Sequence, residues 1–159
     1  MFNIGDKIVY PMHGAGIIES IEEKEILGNK QNYYILVMPV GDMKVMIPTE
    51  NVDDIGIREV IGEEEADKVL DVLKKNTTNE TINWNKRYRE NMLKIKSGDI
   101  FEVAEVVKTL MLRDREKGLS TGEKKMLNSA KQILMSELVL VKNITPKDLE
   151  SLIESYIYL

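Results

Sequence analysis

The apolar pattern of this chain changes period near residue 59, and that change most limits what it can fold into. Before residue 59 the apolar residues come in short β-rich runs broken by turn signals. Ile8-Val9-Tyr10 ends at Pro11, and His13-Gly14-Ala15-Gly16 reads as a loop or bulge. Residues 17–27 read as one long strand interrupted by charges, and Gly28-Asn29 is a turn signal before Tyr33-Tyr34-Ile35-Leu36-Val37. Gly41-Asp42 suits a type II′ turn, because Gly supplies the positive φ of its first central position. Met43, Val45 and Ile47 alternate with Lys44 and Met46, so the first three are expected to face inward. Four or five strands in so short a span predict a small antiparallel barrel with edges open to partners.

After residue 59 the spacing is helical. Ala66, Val69, Leu70 and Leu73 make one stripe behind an acidic first turn at Glu63, Glu64 and Glu65. Residues 75–82 are polar and unpatterned and read as a linker. Asn83 then caps a helix carrying Trp84, Tyr88, Met92 and Ile95, which Ser97-Gly98 breaks. Asp99 with Glu102, and Ser120 with Glu123, are capping patterns for two further helices; Thr145-Pro146 opens the last. The expected class is α+β: a β domain over residues 1–58, a connecting helix over 59–75 and a helical domain over 76–159.

Chemistry is limited by what is missing. The sequence has no Cys and one His, which removes disulfides, thiolate metal sites, cysteine nucleophiles and His clusters. His13 sits in a predicted turn with no Ser or Asp spaced for a triad, and His13-Gly14-Ala15-Gly16 lacks the Gly-Lys-Ser/Thr ending of a phosphate loop. No enzyme, cofactor, metal or small-molecule substrate is expected. The opening residues carry no basic and apolar leader, and the apolar runs are too short to span a bilayer, so the chain reads as cytosolic.

The net charge of −5 argues against a nucleic-acid partner only if it is spread evenly. Residues 1–73 hold six bases and fifteen acids, a net −9; residues 74–131 hold fourteen and eight, a net +6; residues 132–159 are −2. A basic segment of this kind attracts a polyanion although the whole molecule is acidic. Lys86, Arg87 and Arg89 flank Tyr88 just after Trp84, while Arg113, Arg115 and Lys117 end one helix and Lys124, Lys125 and Lys131 follow in the next. Such a cluster suits phosphates, and without a helix rich in base-reading side chains it favours shape-based or minor-groove contact. Two readings of Trp84 stay open: a core anchor on the stripe with Tyr88 and Met92, or an exposed apolar wedge against a deformed base step.

These residues resemble the CarD family of bacterial RNA-polymerase-binding transcription regulators, over residues 2–138 at least. The N-terminal resemblance rests on Gly5-Asp6-Lys7-Ile8-Val9-Tyr10-Pro11, His13-Gly14-Ala15-Gly16 and Ile47-Pro48-Thr49-Glu50-Asn51. The C-terminal one rests on Asn83-Trp84, Lys86-Arg87-Tyr88, Ser97-Gly98-Asp99, Val103-Ala104-Glu105-Val106-Val107, and Arg113-Asp114 through Gly118-Leu119-Ser120 to Gly122-Glu123-Lys124. The N-terminal part alone is also similar to the polymerase-interacting module of transcription-repair coupling factors.

The resemblance implies a Tudor-like barrel docked on the RNA polymerase β subunit and a helical domain on promoter DNA, with the open complex stabilised. Trp84 matches the family's tryptophan, which wedges into the minor groove at the upstream edge of the bubble. Arg89, Arg113 and Lys124 match DNA-contacting positions, with Lys86, Arg87 and Lys125 in the same basic runs. On the polymerase side Lys24 and Ile26 match contact positions. Met46 stands where better-known members have an Arg; either Lys44 on the same face substitutes for it, or the interface is more apolar. A bacterial cytoplasm, association with the nucleoid through polymerase, and a monomer are implied. The alternative is an adaptor whose helices bind another protein instead of DNA.

Overall fold

The computed structural model describes residues 1–75 and 83–158. Its N-terminal unit is an antiparallel sheet of β1 (Lys7–Tyr10), β2 (Gly14–Ile26), β3 (Asn29–Val37), β4 (Lys44–Pro48) and β5 (Arg58–Glu59), in the order β4-β3-β2-β1-β5. β4 and β5 end the sheet on opposite sides and do not pair, so the sheet is not closed and keeps the open edges that the sequence suggests. A 3-10 turn (Thr49–Asn51) and the one-turn helix α1 (Val52–Ile55), neither evident from the pattern, cover one face instead. There Ile8, Ile18, Tyr34, Leu36 and Ile47 are buried beneath Phe2, Tyr10, Val45, Val52, Ile55 and Ile57. Met43 precedes β4 and is exposed, contrary to the inward position its alternation predicts.

The glycine-rich stretch is strand, not loop: Tyr10 pairs with Gly14 and Val9 with Ala15. Its glycines permit close approach. A Cβ on Gly16 would lie 2.6 Å from the Val37 carbonyl oxygen. The expected Gly28-Asn29 turn also shifts by one residue, because Ile26 pairs with Asn29 and leaves Leu27-Gly28 as the loop.

The remaining elements are α2 (Glu63–Lys74), α3 (Trp84–Lys96), α4 (Ile100–Lys117), α5 (Thr121–Lys142) and α6 (Pro146–Ile157). The N-caps of α3 to α6 are those read from the sequence. Asn83, Asp99, Ser120 and Thr145 each accept a bond from a backbone N–H of the first turn, satisfying donors that a helix start leaves unpaired. The stripes of α4, α5 and α6 close a single core around Val107, Leu110, Leu134, Leu138, Leu149 and Ile153. Ala66, Val69, Leu70 and Leu73 of α2 lie in this same core, so α2 is a helix of the bundle and more than a connector. The linker expected over 75–82 falls, but for Lys75, outside the described residues.

Sheet and bundle meet along α5. Ala15 N–H donates to the Ser136 hydroxyl at 2.8 Å, and Val9, Ala15 and Leu140 form a small buried cluster. Arg58 of β5 donates two bonds of 2.8 Å to the buried Glu137 carboxylate, which also accepts from Ile61 N–H at 2.9 Å. A carboxylate removed from water needs this degree of pairing. Among the described residues no helix is long and apolar enough to cross a membrane.

Candidate nucleic-acid interface

The basic end of the bundle is built by two helix starts facing each other. The Asn83 cap, accepting from Lys86 N–H at 2.9 Å, makes Trp84 the first residue of α3. Placed there, the indole escapes the core but keeps a base: it stacks on Tyr88 one turn later, at 5.0 Å between centroids and 21° between planes. Trp84 remains 43% exposed, which favours the exposed reading over the core anchor.

The N-terminus of α5 fixes this ring. Trp84 Nε1 donates to the Ser120 hydroxyl at 3.1 Å, while the same oxygen accepts from Glu123 N–H at 3.2 Å as the helix cap. Gly122 lies beneath both rings, where an added Cβ would stand 3.6 Å from Tyr88 and 3.8 Å from Trp84. Ser120 and Glu123 are legible in the sequence only as a capping box; their contacts to α3 are not.

Arg87 sits differently from its neighbours. Its Nε and Nη2 donate to the two oxygens of Glu123 at 2.8 and 3.0 Å, with the two side chains only 11% and 2% exposed. The hydrogen bond from Arg87 is the main cause holding the Glu123 carboxyl below its ordinary pKa, against the upward push of burial; Arg113 contributes through its charge. Arg87 is correspondingly raised by its bond to Glu123. In position and partner it is a brace between α3 and α5, unlike the outward cation suggested by its place in the basic run.

Lys86, Arg89, Lys124 and Lys125 are exposed, and none is held in an ion pair among the described residues. Arg113 is half-buried near Glu123. The bases farther along turn elsewhere: Arg115 stacks over Tyr158 at 4.8 Å, and Lys131 pairs with Glu150 at 2.7 Å. The structure thus gathers Trp84, Lys86, Arg89, Arg113, Lys124 and Lys125 around the α3 and α5 starts. A ring edge among exposed and half-exposed cations can meet a groove and its phosphates together.

A second surface lies on the sheet. Cross-strand partners share a face, and Lys24 pairs with Gln31, Ile26 with Asn29, Met46 with Ile35, and Lys44 with Val37. Alternation along β3 puts all four on the face opposite the Tyr34–Leu36 core. Lys24 holds a 3.6 Å pair with Glu22, and Lys44 a 3.0 Å pair with Glu19; each is exposed. Ile26 and Met46 are also exposed, and β4 presents a free strand edge beside them.

Residues 2–61 match the CarD-like/TRCF RID domain family, which is associated with RNA polymerase interaction, and residues 68–154 match the CarD C-terminal domain family. The chain is 47% identical over 151 residues to YdeB of Bacillus subtilis (strain 168), a candidate transcription factor, covering 95% of this chain and 99% of that protein. It is also similar to the solved structure of CdnLNt from Myxoccoccus xanthus, 41% identical over 40% of this chain and 89% of that one, with a TM-score of 0.34. Both family matches, and a relative that spans nearly the whole length, give one answer: this chain belongs to the CarD family of transcription regulators, which are not enzymes.

Proposed function

We propose that the outer sheet face, with Lys24, Ile26, Lys44 and Met46, docks on the β subunit of RNA polymerase. The helical end then contacts promoter DNA in the minor groove, near the upstream edge of the bubble, and stabilises the open complex. The observation that carries this reading is Trp84: a half-exposed indole braced on Tyr88 and Ser120 among exposed cations. An aromatic ring in water is unfavourable unless it meets a partner, and the surrounding charges select an anionic one.

The cations on this end are few, so duplex binding by the free protein is weak, and it falls with salt by a logarithmic slope of about 0.9 per phosphate contacted. Docking on polymerase raises the effective concentration at the promoter and makes that weak contact sufficient. Contact by Trp84 worth ~1.4 kcal/mol in the open state alone would shift the opening equilibrium about tenfold. Trp84→Ala is expected to leave the fold and polymerase binding intact and to shorten open-complex lifetime on an unstable promoter. An unchanged lifetime there refutes the wedge.

A further inference from the structure

We propose that Leu27, at the tip of the β2–β3 hairpin, is an apolar anchor that enters a depression on the RNA polymerase β subunit beside the outer sheet face. The proposal rests on the docking reading above and adds a residue outside its contact set.

The hairpin is an arm. β1 accompanies β2 only as far as Ile17, and β4 accompanies β3 only from Tyr33 onward. Every residue from 21 to 30 is exposed. A two-stranded arm without a covered face is marginal in water, so its turn should carry the residues that suit it best. The loop is Leu27-Gly28, with φ of 53° and 80°, both positive as in a type I′ turn. Asn or Asp suits the first of these positions, because a short polar side chain tolerates the left-handed region, whereas a branched apolar one crowds the backbone.

Leu27 is the wrong residue for the turn, and it gains nothing inside the chain, being 98% exposed. A backbone conformation that disfavours its side chain, combined with a side chain wholly in water, is a local conflict that folding does not explain. Ile26, 45% exposed, adjoins it on the outer face with Lys24 two residues away, so the tip continues the docking surface outward. The acids Glu22, Glu23 and Glu25 along the arm keep it hydrated until it docks. The surface that fits is an apolar hollow beside the groups that receive Lys24 and Ile26.

The test sets stability against binding. In Leu27→Asn of the full chain, Tm is expected to rise by about 2–4 °C because the turn is relieved. Affinity for core RNA polymerase is expected to weaken roughly tenfold, from lost apolar burial. Leu27→Met, still apolar, is expected to retain most of the affinity. Unchanged polymerase affinity in Leu27→Asn overturns the proposal, whichever way Tm moves. Self-association removed by Leu27→Asn with polymerase affinity intact assigns the tip to a second copy of the chain, and also overturns it. Failure of the wild-type chain to bind core polymerase refutes the docking reading itself, and the anchor with it.

Discussion

Arg87 separates bracing from DNA contact, because its sequence neighbours point outward and it does not. In Arg87→Met the aliphatic stem is kept and the guanidinium lost, leaving Glu123, 2% exposed, without its two bonds of 2.8 and 3.0 Å. Removing one partner of a buried pair costs about 3–5 kcal/mol; the small opening on the Arg87 side places this case near 3 kcal/mol. At roughly 2–4 °C per kcal/mol for a chain of this size, Tm should fall by about 6–12 °C. Adding Glu123→Gln removes the stranded charge and should recover part of the loss, leaving a coupling of about 2 kcal/mol in the double-mutant cycle.

The same pair predicts a pH signature. Arg87 depresses the folded-state pKa of Glu123, so its stabilisation is fully present above the ordinary carboxylate pKa and is lost as pH falls through the depressed value. In Arg87→Met, burial is opposed only by the Arg113 charge and a bond from Trp84, so the Glu123 pKa rises relative to wild type and acid relieves the variant sooner. The stability gap between wild type and Arg87→Met should therefore narrow from pH 7 toward about pH 4. Urea unfolding followed by circular dichroism, beside DNA affinity against salt, checks both parts. If Arg87→Met unfolds like wild type while its salt slope drops by about 0.9, as for one lost phosphate contact, Arg87 is a DNA ligand and the brace is wrong.

Trp84 is the sole tryptophan, so its fluorescence reports the site directly. Ser120→Gly keeps most of the cap but removes the hydroxyl, and should make the indole more accessible to acrylamide; identical quenching would show that the Ser120 bond does not hold the ring. Gly16→Ala drives a Cβ into the Val37 carbonyl oxygen and should destabilise the sheet by about 1–3 kcal/mol. A wild-type Tm in that variant would contradict the close β2–β3 approach.

The helical half is legible because its signals are local. Each cap lies within three residues of the N–H it satisfies, and a stripe such as Val103-Val106-Val107-Leu110 repeats at the period that buries it. The sheet is less so. Gly14-Ala15-Gly16 reads as loop by composition, yet it is strand: β1 pairs with it, and α5 and β3 approach its glycines so closely that only small residues fit. The Gly28-Asn29 signal is overridden by the β2–β3 register, which places Leu27 in the turn. At the basic end, Trp84, Lys86, Arg89 and Lys124 are visible as a cluster of charge around one aromatic. Nothing in their spacing distinguishes Arg87, whose partner lies 36 residues away on another helix. Local chemistry is written in short windows; tertiary pairing is not.

The division of charge along the chain suggests two bodies joined near residue 75, but the packing places the join elsewhere. α2 lies in the bundle core through Ala66, Val69, Leu70 and Leu73, so the helical unit begins before the change of charge near residue 74. The two units are held by contacts distant in sequence: Arg58 with Glu137, Ile61 with Glu137, Ala15 with Ser136, and Lys7 with the Leu140 carbonyl. Glu137 and Ser136 are each 1% exposed, and a buried carboxylate bound to Arg58 of β5 and to the Ile61 backbone just after it resists shear, since any sliding strands its charge. A chain with a free hinge would search for DNA over the volume its linker allows, and its effective concentration would fall as that volume grows. With the sheet face and the Trp84 end fixed on one scaffold, the proposed polymerase contact instead sets the position of the indole, and the distance between the surfaces becomes part of the specificity.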